Sequence, residues 1–231
     1  MTNNSTSQAE PKNAQKIKLS PSTLGMLKDC PLCFWLSFRK DINLPAGIFP
    51  SLPSGIDAVL KKHFDIFREK GILPEELKST GAKLFNDMDL LKAWRNNFKG
   101  IRWEDKNGNV LRGAVDEILE KDGKLIVLDF KTRGFPCKED THEHYQDQMD
   151  IYNFLLRKNN YETEDYAYLL FFHPTHLNGG GDFVFERTLK KLDINVKNAE
   201  KIFTSAIKCL EGDEPKPGKE CGVCEFVRER G

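Results

Sequence analysis

The sequence predicts an α/β fold, a mixed central β-sheet flanked by helices, and three observations carry that prediction. Two tight-turn dipeptides, Asn107-Gly108 and Asp122-Gly123, separate apolar stretches of strand character, which reads as three consecutive antiparallel strands. Helical stripes flank that run: residues 55–70 carry Ile56, Val59, Leu60, Phe64 and Phe67 at steps of three and four, and residues 140–158 carry Tyr145, Gln148, Met149, Tyr152, Leu155 and Leu156. The aromatic-rich stretch 165–173 follows the second helix, and a right-handed crossover makes it parallel to one of the earlier strands.

In chain order, Ser20-Pro21-Ser22 supplies a capping hydroxyl and a first-turn proline for a helix to about Asp29. Cys30-Pro31-Leu32-Cys33 then leads into Phe34, Trp35, Leu36 and Phe38, and Pro and Gly make 43–54 a linker or open loop. The 55–70 helix follows, with His63 on its stripe, and 74–94 reads as further helix. The three strands span about 98–105, 109–120 and 124–131. After the 140–158 helix and the 165–173 strand, Gly179-Gly180-Gly181 makes a loop, and 183–187 is a fifth strand. Asp193 is a candidate cap for a last helix with the stripe Val196, Ala199, Phe203, Ala206, Ile207 and Leu210, ending at Gly212.

The 231 residues allow one domain over 19–231. At 39% apolar and 30% charged, the composition excludes collagen-like, mucin-like and wholly disordered classes. No apolar run is long enough to span a bilayer. Residues 1–18 are polar, without the apolar centre of a secretory signal, so a disordered leader and a cytoplasmic location are expected. Net charge is zero, so nucleic-acid binding has to rest on local patches such as Lys12, Lys16 and Lys18, or Arg157 and Lys158.

A two-residue turn at Asp122-Gly123 fixes the register. It sets Lys121 against Lys124 and therefore Asp116 against Asp129, with Cβ atoms about 4.5–5.5 Å apart. Such a like-charge pair is unfavourable unless a cation or proton lies between. Lys131 shares their face, with Ile118, Leu125 and Val127. Glu117 points the other way with Val115 and Leu119, and Leu128 and Phe130 lie on the reverse of their own strand. One reading is a salt bridge of Lys131 with either aspartate. The other is a divalent-cation site in which Lys131 orients water or offsets phosphate charge.

Gly113-Ala114-Val115-Asp116, Leu128-Asp129-Phe130-Lys131-Thr132 and Gln148-x-x-x-Tyr152, in that order, resemble the RecB-type branch of the PD-(D/E)XK nuclease superfamily. The resemblance spans about Gly55 to Leu156 and implies a restriction-endonuclease-like αβββαβ core. It implies that His63, Asp116, Asp129 and the Phe130 carbonyl bind Mg²⁺ or Mn²⁺, and that Lys131, Gln148 and Tyr152 complete the catalytic site. Taken alone, His63 and Tyr152 are more ordinarily core residues. The implied activity is hydrolysis of DNA phosphodiesters at single strands or free ends, in repair, recombination or CRISPR-type DNA processing. The alternative is an inactive nucleic-acid-binding or scaffold module with a structural metal.

Six cysteines without an export signal point to thiols or metal ligands. Cys30-x-x-Cys33 and Cys221-x-x-Cys224 are two-ligand clips that together make a tetrathiolate site if the chain ends meet, whereas Cys137 and Cys209 have no such spacing. Thiolates suit an iron–sulfur cluster or Zn²⁺. The resemblance favours a 4Fe–4S cluster, as in CRISPR-associated adaptation nucleases with one N-terminal and three C-terminal cysteines. Here the split is two and two, with Arg230 where the last cysteine would stand, so either Cys33 substitutes or the site holds Zn²⁺.

Overall fold

In the computed structural model, which describes residues 16–42, 44 and 50–230, the capping chemistry at Ser20 opens the first helix. The Ser20 side chain accepts from the Thr23 N–H, and Thr23 Oγ1 accepts from the Ser20 N–H. Helix α1 runs Pro21–Asp29, and α2, Pro31–Arg39, follows with Cys30 as its cap. The expected leader differs from what the described part shows. Residues 1–15, Lys12 among them, lie outside the described residues, but Lys18–Leu19 form a short strand, β1. Of the expected loop 43–54, Asn43 and residues 45–49 also lie outside, and helix α3, Ser51–Glu69, begins a turn earlier than expected.

Residues 74–94 are not one helix. A 3₁₀ turn at Glu75–Thr80 stops at Gly81, which is left-handed at φ 64°; strand β2 is Lys83–Leu84, and α4, Met88–Arg95, starts where Asp87 caps the Leu90 N–H at 2.9 Å. Strand β3 is Ile101–Glu104. The strand expected over 109–120 breaks into β4, Val110–Gly113, and β5, Glu117–Lys121. The end of α4 takes up the backbone between them: the Trp94 carbonyl accepts from the Val115 N–H at 3.2 Å, and Arg95 Nε donates to the Asp116 carbonyl at 2.8 Å. The break also turns Val115 into the core that holds Ile118, not to the Leu119 side as alternation predicted.

Strand β6, Lys124–Thr132, pairs with β5 in the derived register, Lys121 opposite Lys124 through Glu117 opposite Leu128. After a 3₁₀ turn at Thr141–Tyr145, helix α5, Gln146–Lys158, crosses to β7, Tyr166–Leu177, which pairs parallel to β6 as the crossover rule requires. Strand β8, Phe183–Asp193, is longer than expected and ends on Asp193; Asn195, not Asp193, therefore caps α6, Val196–Glu211, by accepting from the Asn198 N–H. A last helix, α7, Gly222–Arg230, was not legible in the sequence.

The strands form two sheets, one ordered β1-β4-β3 and one ordered β2-β5-β6-β7-β8. Helices cover both faces of the larger sheet. On one side α5 and α6 pack over Ile118, Leu125 and Val127; on the other α3 packs over Leu119, Ile126, Leu128 and Phe130. This is the mixed sheet flanked by helices that the sequence predicts. Among the described residues no helix is long and apolar enough to cross a membrane.

Candidate active site

Asp129 and Lys131 are two apart on β6 and so project from one face of the sheet, under α5. Asp116 sits in the break just before β5. Its Oδ2 accepts the Phe130 N–H at 3.0 Å, which pins the carboxylate beside the Asp129-Phe130-Lys131 backbone. Asp129 is buried, with 2% of its surface exposed. Burial first, then the charge of Asp116, pushes its carboxyl up to about 7, against the opposing pull of Lys131 and Lys61. Its Oδ2 is in ion-pair contact with the Lys131 ammonium.

Helix α5 lays Gln148 and Tyr152 over the same spot, one turn apart. The Gln148 amide is held at both ends: Oε1 accepts from Lys131 Nζ at 3.0 Å, and Nε2 donates to the Tyr152 hydroxyl at 2.8 Å and to Asp129 Oδ1 at 3.4 Å. Lys131 also lies over the Tyr145 ring, 4.6 Å from its centroid. Burial, and secondarily the Asp129 charge, raises the Tyr152 phenol well above its ordinary value, so it stays a neutral donor and acceptor. Gly113 explains how the ring fits. A Cβ there would lie 2.7 Å from Tyr152 Cε1 and 3.2 Å from Leu155 Cδ1, so the glycine three residues before Asp116 makes room for α5 to approach.

No hydrogen bond or ion pair among the described residues joins this group to His63, a ligand implied by the resemblance. His63 is exposed on α3, its ring 4.7 Å from that of Phe67. The buried face of α3 is instead defined by Phe64 and Arg68, and one residue is about 100° of turn, enough to carry His63 off that face. Two residues that the sequence reading missed stand there. Lys61 Nζ bridges Asp57 Oδ2 at 2.7 Å and Asp116 Oδ1 at 2.8 Å. Their signal was available: an acid and a lysine at i and i+4, seven and three residues before Phe64 on one side of the helix. Burial, and then Asp116, raises the Asp57 carboxyl, while the Asp116 and Asp57 charges outweigh burial and raise the Lys61 ammonium. Phe130 buries its side chain in the α3-side core against Phe64, with ring centroids 4.8 Å apart, so only its backbone faces the acidic pair.

Behind the pair, Glu117 is fully buried and held by Arg68 and Arg95, which also reach Asp65. This network anchors α3 and α4 to the start of β5. Burial raises the Glu117 carboxyl, with the two guanidinium charges opposing. It has its cations already, and it points away from Asp129 as the alternation requires.

The centre thus gathers three carboxylates, Asp57, Asp116 and Asp129, around two ammonium groups, Lys61 and Lys131. The excess negative charge and the oxygen donor set suit a hard divalent cation. A cavity of about 290 Å³ lined by Ser20, Ser22, Arg112, Gly113, Gln148 and Tyr152 adjoins it.

The four clip cysteines meet at the far end of α1. Cys30 and Cys33, at the α1–α2 junction, face Cys221 and Cys224, at the start of α7, and all four sulfurs lie within 4.8 Å of one another. They are free thiols. The two chain ends are therefore brought together in an arrangement able to hold a metal, as their spacing predicts. Burial alone would raise the Cys30 thiol, but hydrogen bonds from the Gly218 and Cys33 backbone N–H groups bring it down to about 7. Cys137 and Cys209 are not part of this group.

An Asp-x-Lys strand beside a second aspartate, beneath a Gln-x-x-x-Tyr helix on a mixed sheet, defines the class: an α/β fold of the nuclease type. A family model described as the PD-(D/E)XK nuclease superfamily matches residues 56–228, and the chain belongs to that superfamily. Its members are nucleases, whose substrates are nucleic acids. No curated protein matches the chain.

Proposed function

We propose that this protein is a Mg²⁺- or Mn²⁺-dependent deoxyribonuclease whose active centre is Asp116, Asp129 and Lys131. The observation that carries the reading is the buried Asp129, raised to about 7 beside a second aspartate and a lysine, a costly arrangement that a cation would relieve. Asp116 and Asp129 would hold the cation, with the Phe130 carbonyl as the resemblance implies and Asp57, linked to Asp116 through Lys61, as a further candidate oxygen donor. When bound, the cation supplies positive charge to a phosphate oxygen and makes a water more acidic.

The chain's own groups do the remainder. Lys131 Nζ, fixed between Asp129, Gln148 Oε1 and the Tyr145 ring, orients the attacking water or offsets charge developing on the phosphate. Tyr152 fixes the Gln148 amide so that its oxygen, not its nitrogen, faces Lys131. Gln148 and Tyr152 are thereby positioning residues. By the resemblance to RecB-type and CRISPR-associated nucleases, the substrate is DNA with single strands or free ends, met in repair, recombination or CRISPR-type processing. Four thiols held free at one site suit a reducing compartment, and we place the activity in the cytoplasm.

One observation favours a second reading. Lys61 already neutralises Asp116, and Lys131 already touches Asp129, so the group also reads as a closed ion-pair cluster in an inactive nucleic-acid-binding module. The test is an assay of the full chain on end-labelled single-stranded DNA, duplex DNA and RNA with Mg²⁺, Mn²⁺ or EDTA. Cleavage that needs the cation and disappears in Asp116→Asn and Asp129→Asn is expected. Absence of metal-dependent cleavage, or cleavage that survives both substitutions, contradicts the assignment.

A further inference from the structure

We infer that the four-cysteine centre is a mononuclear tetrathiolate site for one zinc ion, not the 4Fe–4S cluster that the family resemblance favours. The distances between sulfurs decide it. Cys33 Sγ lies 3.5 Å from Cys224 Sγ and 3.6 Å from Cys221 Sγ, Cys30 Sγ lies 3.7 Å from Cys224 Sγ, and no pair of the four exceeds 4.8 Å. Four thiolates around one zinc, each at about 2.3 Å, sit about 3.8 Å apart at the corners of a tetrahedron. In a cubane each thiolate binds a different iron and points outward from it. Two sulfurs are then separated by an iron–iron edge and two splayed Fe–S bonds, a cage that this cluster of sulfurs cannot enclose. The same distances are too long for disulfides, whose S–S bond is about 2.05 Å.

The surroundings suit a closed structural site. All four donors are sulfur, which leaves no place for water or substrate. The Gly218 N–H donates to Cys30 Sγ at 3.2 Å and the Cys33 N–H donates to it at 3.5 Å, the backbone support that orients a ligand. Gly218 is needed for that approach, because a Cβ there would lie 2.3 Å from the Asp29 carbonyl oxygen. The cavity around the cysteines is walled by α1 and by residues 218–223, so both chain ends contribute to it.

Helix α7 shows what the metal does. None of its residues is buried, and its apolar side chains Val223, Phe226 and Val227 are 38, 55 and 64% exposed. Apolar packing therefore does not hold this helix. Cys221 and Cys224 tie it to the α1–α2 junction, and the metal closes the loop between residues 33 and 221. Loss of the ion should release residues 219–230 and leave the β6–α5 centre in place. This inference stands whether or not the acidic centre cleaves DNA.

The test is isolation of the full chain under anaerobic conditions from cells supplied with both iron and zinc, followed by assay of zinc, iron and acid-labile sulfide. One zinc per chain is expected, with neither iron nor sulfide, and Co²⁺ exchanged into the site should give the visible bands of a tetrahedral thiolate complex. Four irons with four sulfides, a pair of disulfides, or a folded protein without stoichiometric metal each overturns the inference. Because Cys33→Ser can impair folding, hydrogen exchange of the unsubstituted chain provides a second readout. A chelator should unprotect 219–230 while β6 and α5 keep their protection, and unchanged protection at 219–230 after metal removal contradicts the clamp.

Discussion

The acidic centre and the cysteine centre meet the same problem, several like-charged ligands held together, in different ways. At the acidic centre Lys61 and Lys131 stand among Asp57, Asp116 and Asp129, so the chain supplies its own counter-ions. At the cysteine centre the sulfurs contact one another and two backbone N–H groups. On the proposed reading, these built-in counter-ions let the first centre fold without metal and exchange it. On the inferred zinc site, the second needs its metal to hold α7, none of whose residues is buried.

Lys131 gives the largest expected effect that breaks or sharpens this contrast. If it acts on the phosphate or the water, Lys131→Ala should lower turnover by about 10²-fold or more, with DNA binding and the cysteine metal retained. Single-turnover cleavage beside metal analysis checks it. A well-folded Lys131→Ala protein that cleaves at the unmodified rate would make Lys131 a counter-ion alone. Lys131→Arg should rescue little, because a planar fork does not replace a compact ammonium packed against Tyr145.

Gly113→Ala tests whether the acidic centre depends on close packing of α5. The new methyl would drive into the Tyr152 ring, and overpacking of this kind costs about 1–3 kcal/mol. Urea denaturation should show that loss, with cleavage falling further than the folded fraction because Gln148 and Lys131 shift with the ring. Unchanged stability would mean that the Tyr152 ring does not pack against Gly113.

The smallest effect is on pH dependence. The folded Asp129 carboxyl is raised to about 7, above its unfolded value, so the stability associated with its proton is complete below the unfolded pKa and is lost as pH rises through about 7. In metal-free buffer Asp129→Asn should therefore leave Tm nearly unchanged near pH 4 and raise it near pH 8. A substitution that lowers Tm at pH 8 would favour a stabilising ion pair with Lys131.

Much of the fold was legible because its signals are local. The Asp122-Gly123 turn, with both residues at positive φ, set the β5–β6 register residue by residue, and the helix at 140–158 required a parallel β7. The turn register put Asp116, Asp129 and Lys131 together, the family resemblance added Gln148 and Tyr152, whose helical spacing lets both face one way, and the ligand count implied that the cysteine clips meet. What was missed depends on tertiary partners. The break at 114–116 exists because the Trp94 carbonyl and the Arg95 side chain bind that backbone, which no strand pattern reveals. His63 and Lys61 lie near one stripe, and only packing of Phe64 and Arg68 against the sheet decides which of them turns inward. Helix α7 has no buried residue to mark it, and the cysteines at its start belong to the four-thiol group.

Mn²⁺ binding measured by calorimetry tests the central claim most directly, using the full chain with its cysteine site loaded, alongside Asp116→Asn and Asp129→Asn. The account predicts a saturable Mn²⁺ site in the unsubstituted protein and at least a roughly tenfold loss of affinity in each variant, about 1.4 kcal/mol or more. Folded variants that bind Mn²⁺ as tightly as the unsubstituted chain, or an unsubstituted chain that does not bind it, would show that the aspartates and lysines are an ion-pair cluster and not a cation site.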